Sequence, residues 1–108
     1  MSTTGSIARG EVLQLVDLIA PAAGATANRV LAKTAGGIVT LFAFDEGKGL
    51  REHTAPFDAL VIVLEGLLTL AIGGSPMDAA AGTIVRIPAG SPHSVTARAA
   101  SRMLLIVL

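Results

Sequence analysis

The chain has two imidazoles, His53 and His93, and each stands in a setting that can hold it for chemistry. His53 follows Gly49-Leu-Arg-Glu and precedes Thr-Ala55-Pro-Phe57-Asp-Ala59, and His93 closes the run Gly82-Thr-Ile-Val-Arg-Ile-Pro88-Ala-Gly90-Ser-Pro. Imidazole exchanges protons near neutral pH and offers a lone pair to transition metals. A pair of them therefore suits general acid–base work on a small carbonyl substrate, or part of a divalent-metal site. Such a metal needs further donors, and the acidic neighbours are Glu52 and Asp58. Strand alternation turns both away from the His53 side, unless a bulge near Pro56 brings Asp58 inward. The competing reading of both rings is structural: a hydrogen-bonded histidine in a pocket at 53 and a strand-start residue at 93.

Other reactive side chains read as scaffold. Ser91 and Ser94 flank His93, but a serine beside a histidine on one strand points elsewhere and no acid is placed to complete a triad. Glu65-Gly66 reads as a turn with a solvated carboxylate rather than a general base. Met77 and Met103 read as packing residues. Arg51, Arg86, Arg98 and Arg102 are scattered and expected to face solvent, with anion binding the alternative for any one of them.

The elements that must carry these residues are short. Residues 1–10 are rich in Ser, Thr and Gly and read as a loose leader without the charged start and apolar run of a secretory signal. Glu11 to Ala20 suits a helical turn or a short edge strand equally, and the Ala-rich stretch to Asn28 reads as a loop. Then come RVLAKT, IVTLFAF, ALVIVL, LLTLAI, TIVRI, Ser94 to Ala97 and Met103 to Leu108, separated by Gly, Pro and Asp. Gly73-Gly74 permits a tight hairpin turn. Runs this short exclude long helices and leave no room for βαβ crossovers, so the pattern is all-β.

At 108 residues the chain fits one domain, and 52% hydrophobic residues against 15% charged ones imply extensive burial. Eight basic and eight acidic residues cancel, which leaves no electrostatic footprint for nucleic acid, and no run is long enough to span a membrane as a helix. The absence of cysteine removes disulfides, thiolate metal sites and cysteine nucleophiles. A cytoplasmic protein is expected.

The segment from Gly82 through Pro88 and Gly90 to His93 resembles the second cupin motif, G-x5-P-x-G-x2-H, at every position. His53 with Leu64-Glu65-Gly66 resembles part of the first motif. Metal-binding cupins carry a second histidine and a glutamate where this chain has Ala55 and Ala59 or Leu60. The resemblance covers residues 37 to 108, and Thr40-Leu-Phe-Ala-Phe-Asp-Glu-Gly47 is similar to small bacterial single-domain cupins. It implies a double-stranded β-helix, or jelly-roll, barrel over residues 30–108, with residues 1–29 an extension packing on the barrel or on a dimer partner. The cavity is expected to open near the histidines, so Ala55, Phe57 and Val95 join His53 and His93 as candidate ligand-binding residues. A small molecule is the expected partner. A metal-dependent enzyme of dioxygenase or isomerase type, holding Zn, Ni, Fe or Mn at His53 and His93, is the alternative. The apolar surplus and the family habit of pairing through outer strands point to a homodimer.

Overall fold

Turns set the architecture. Gly73 and Gly74 adopt φ of +58° and +80°, values that L side chains resist, and they join a strand ending at Ile72 to one starting at Ser75 as a two-residue hairpin loop. The computed structural model describes residues 6–108, so the first five residues of the expected leader lie outside the described residues. Its strands are β1 (Thr26–Thr34), β2 (Gly37–Phe44), β3 (Gly49–His53), β4 (Ala59–Glu65), β5 (Leu67–Ile72), β6 (Ser75–Ala80), β7 (Ile84–Ile87), β8 (His93–Ala97) and β9 (Ser101–Val107). The helical element among the described residues is one 3-10 turn, Leu15–Asp17, and none falls between 37 and 108.

The strands form two facing antiparallel sheets, β1-β2-β9-β4-β7 and β3-β8-β5-β6. From β2 onward the chain passes back and forth between the sheets, leaving only the β5–β6 hairpin within one of them, which is the jelly-roll path. Alternation supplies the core. Ala59, Val61 and Val63 of β4 face Leu68 and Leu70 of β5 and Val95 and Ala97 of β8, with Phe44, Ile87 and Met103 packed among them. Met103 is a packing residue as expected, whereas Met77 on β6 is exposed.

The two outer faces differ in character. On the four-stranded sheet, Arg98 donates to the Thr69 hydroxyl at 3.3 Å and that hydroxyl donates to Asp78 at 2.8 Å, a polar surface. On the five-stranded sheet, the positions alternating with the core are Leu60, Ile62 and Leu64 of β4, Leu104 and Ile106 of β9, and Val39 and Leu41 of β2. Part of this apolar face is crossed by the segment before β1. Arg29 donates to the Leu18 carbonyl, Arg102 to the Ile19 carbonyl at 2.9 Å, and the Ile7 N–H to Leu31 at the free edge of β1. Leu41 is fully buried beneath it.

Two expectations about elements need correction. The stretch read as loop to Asn28 is already strand from Thr26, because pairing with β2 (Thr26 opposite Phe44) overrides its weak local pattern. Two strands, Gly49–His53 and Ser75–Ala80, were absent from the expected set. The second carries Pro76 and a single buried residue, Ala79, and occupies a sheet edge, where a residue without an N–H is tolerated.

Candidate functional site

His53 ends β3 and His93 begins β8, and they are direct partners across that ladder. Gly49 makes the pairing possible, since a Cβ there would lie 1.8 Å from the Val95 carbonyl oxygen. Leu50 faces Val95 and His53 faces His93, so three steps on β3 match two on β8. A β-bulge at Arg51-Glu52 absorbs the extra residue. Without it, strict alternation would set Glu52 opposite His93 and turn His53 outward.

The imidazole centroids lie 4.3 Å apart with the rings at 61°, an edge-to-face contact. His93 is 8% exposed, whereas His53 is open to solvent. Both rings are fixed by the same local device: Nδ1 of His53 lies 2.8 Å from the Arg51 carbonyl oxygen, and Nδ1 of His93 lies 2.9 Å from that of Ser91. A carbonyl only accepts, so each Nδ1 carries the proton and donates it. In the neutral rings both Nε2 atoms are left as lone-pair acceptors.

The loop before His93 is a turn of its own. The Ser91 N–H reaches the Pro88 carbonyl at 3.3 Å, and Gly90 at the third position has φ of +81°, as a type II turn requires. This turn is stapled to the segment after His53. Gly90 N–H donates to the Ala55 carbonyl at 2.8 Å, and Ala89 N–H donates to Oδ1 of Asp58 at 2.7 Å. Arg86 grips Oδ2 of Asp58 through Nε at 2.8 Å and its terminal nitrogen at 2.7 Å. The Ala89 hydrogen bond first, and Arg86 second, hold the Asp58 carboxyl below its ordinary range.

Asp58 is therefore committed to Arg86 and Ala89, and Glu52 is exposed at the bulge. Among the described residues no three His, Cys, Asp or Glu side chains gather where a metal could sit. Glu65 forms an ion pair with Arg102, which accounts for both without catalysis. Ser94 lies opposite Ala71 and alternates away from His93, while Ser91 contributes its carbonyl.

Of the other candidate residues, Val95 is buried two positions along β8 on the face of His93, and Ala55 is half-buried at the rim. Phe57 does not join them. The extended path that would have put 53, 55 and 57 on one face ends with β3 at His53; Phe57 is 56% exposed and lines a separate cavity with Lys33, Ile38 and Val107. Ile72, directly opposite His93, and Leu50, opposite Val95, are the neighbours that sequence reasoning missed, because cross-strand pairing cannot be read from one strand. Leu50, Ile72, Phe42 and Leu105 are only partly buried against the core. The interior is thus less completely covered toward the histidine end: along β8, exposure rises from 1% at Ala97 through 4% at Val95 to 8% at His93.

Residues 40–108 match the model of the cupin domain family, and the chain belongs to that family. The whole chain superposes on 95% of a conserved protein of unknown function from Streptococcus pyogenes, with TM-score 0.90 and 31% identity. A cupin 2 conserved barrel domain protein from Leptotrichia buccalis aligns with 89% of this chain and 47% of its own, at TM-score 0.85 and 30% identity. A cupin superfamily protein from Desulfitobacterium hafniense, 22% identical, covers 95% of this chain and 94% of its own with TM-score 0.88 and shows the same fold. No curated protein matches.

Proposed function

We propose that the chain is a small-molecule binding module whose site is the barrel mouth at His53 and His93. The observation that carries this reading is the shared fixing of the two rings: with each Nδ1 spent on a carbonyl, two adjacent Nε2 atoms remain as acceptors. Val95, Ile72 and Leu50 supply an apolar wall beside them. A site of this kind takes a compact ligand with O–H or N–H donors on an apolar body.

The family also contains metal-binding members, and the residues here do not fit a resident divalent ion. Such an ion needs three or four protein donors; this site supplies two, with methyl groups at Ala55 and Ala59 and with Asp58 already held. The metal-dependent enzyme reading therefore lacks ligands.

The test is a nitrogen-detected NMR titration with phenols and 1,2-diols. Saturable shifts at both Nε2 atoms, abolished in His93→Ala and weakened in His53→Ala, are expected. Ligand affinity unchanged in both variants would remove the histidines from the site.

We further propose a homodimer formed through the outer face of the five-stranded sheet. Supporting it is the contrast between that apolar face and the Thr, Asp and Arg surface of the opposite sheet.

A further inference from the structure

We infer that the segment before β1 is itself part of the dimer interface: its outward apolar residues, Val12, Leu15 and Val16, pack on the β7 end of the same sheet in a second copy of this chain. The inference rests on the homodimer reading above and fixes how the two copies meet. The segment is apolar on both sides. Leu13 and Leu18 turn inward, half-buried, and line a cleft with Ile7 and Arg29. Val12, by contrast, is 99% exposed, Val16 51% and Leu15 36%. Single exposed aliphatics are ordinary, whereas three of them on one short anchored segment form a ridge that water disfavours. The ridge is held in place before any partner arrives. The segment is bonded to the barrel at Ile7, Leu18 and Ile19, and the Gly24 N–H donates to Oδ2 of Asp45 at 2.6 Å.

The sheet beneath is covered unevenly. One row of cross-strand partners runs Leu41, Leu104, Ile62, Ile84 across β2, β9, β4 and β7. Its first member is fully buried under the segment, its middle pair is half-buried, and its last is 59% exposed. The next row, Val39, Ile106, Leu60, Arg86, ends on a guanidinium whose side chain is 66% exposed although Asp58 holds it from one side. Each protomer thus carries, at one end of the face, an apolar ridge flanked by the exposed Glu11 and Asp17, and at the other a bare apolar end with a cation.

Symmetry decides the rest. Two copies joined face to face by a two-fold axis across the strands would set ridge on ridge and leave both bare ends open. An axis along the strands, through the middle of the sheet, sets each ridge on the other copy's bare end and brings the carboxylates of one beside the guanidinium of the other. A second copy is therefore the occupant that supplies both the shape and the charge the face calls for.

The chain has no cysteine, so single replacements report how the copies meet. Val16→Cys and Ile84→Cys protomers, co-expressed and mildly oxidised, should form a disulfide between unlike protomers, and either variant alone should form far less. The double variant Val12→Asp, Val16→Asp should raise the dimer dissociation constant at least about tenfold. Its circular dichroism spectrum should stay native, since both side chains are exposed in the protomer. A native dimer by light scattering that gives no mixed disulfide, that cross-links Val16→Cys to itself as readily, or that survives Val12→Asp, Val16→Asp unchanged would overturn this inference and leave the homodimer standing. A monomeric native chain would overturn both.

Discussion

The Asp58 carboxylate accepts the Ala89 N–H at 2.7 Å and so ties the segment leaving one histidine to the segment entering the other. With Arg86 on its second oxygen, Asp58 fixes the rim of the barrel although it touches neither imidazole ring.

Its titration gives an acid dependence of definite sign. The folded-state carboxyl sits below the ordinary value of 3.8, so its contribution is present above that value and is lost as pH falls through the lower folded-state value. Thermal melts from neutral to acid pH should show the native midpoint falling more steeply on the acid side than that of Asp58→Asn. Asp58→Ala should melt below both at neutral pH, because the Ala89 N–H then loses its acceptor. Parallel acid limbs in native protein and Asp58→Asn would show that the carboxylate contributes nothing there.

Long-range nitrogen–proton NMR of the neutral imidazoles should show both in the Nδ1–H form, with Nε2 bare. Free histidine favours the other tautomer, so the Arg51 and Ser91 carbonyls are the cause. An Nε2–H signal for either ring would mean that its carbonyl contact does not persist in solution.

Restoring the missing donors should create a metal site at a cost. Ala59 is 7% exposed and pairs with Ile87 and Val107, so Ala59→Glu places a carboxylate where little water reaches. The double variant Ala55→His, Ala59→Glu should bind zinc at least about tenfold more tightly than the native chain, while its metal-free form loses about 1–3 kcal/mol. Calorimetric zinc titration and denaturant melts check the two halves. Tight stoichiometric binding by the native chain would show that two histidines suffice.

Light scattering at micromolar concentration should give a dimer mass for the native chain and a monomer mass for Ile62→Glu. Ile62 pairs with Leu104 and Ile84 at the middle of the apolar outer face, where a buried carboxylate would face its symmetry mate. A monomeric native chain would defeat the dimer proposal outright.

What could be read from the sequence was whatever local backbone chemistry determines. Pro88 and Gly90 dictate a turn and hence a strand start at His93, and Gly73-Gly74 dictates a hairpin, whatever their surroundings. The rest depends on partners remote in sequence. Whether His53 points inward is settled by the Arg51-Glu52 bulge, which exists only in register with β8. Phe57 was misplaced because the alternation that grouped it with His53 presumed an extended chain beyond β3. Asp58 looked like a spare ligand until Arg86 and Ala89, both far along the chain, were seen to occupy it.

The position of β9 bears on how the chain is made. It is the last strand in chain order, yet it lies at the centre of the larger sheet, pairing with β2 on one side and β4 on the other. During synthesis β2 and β4 cannot be joined until residues 101–107 have left the ribosome, so their apolar edges wait unpaired while everything between them is translated. Folding must close loops of great length in sequence, a route that belongs to the slow, millisecond-to-second class. A chain lacking residues 101–107 would lack the strand that unites the sheet and would present two sticky edges to its neighbours.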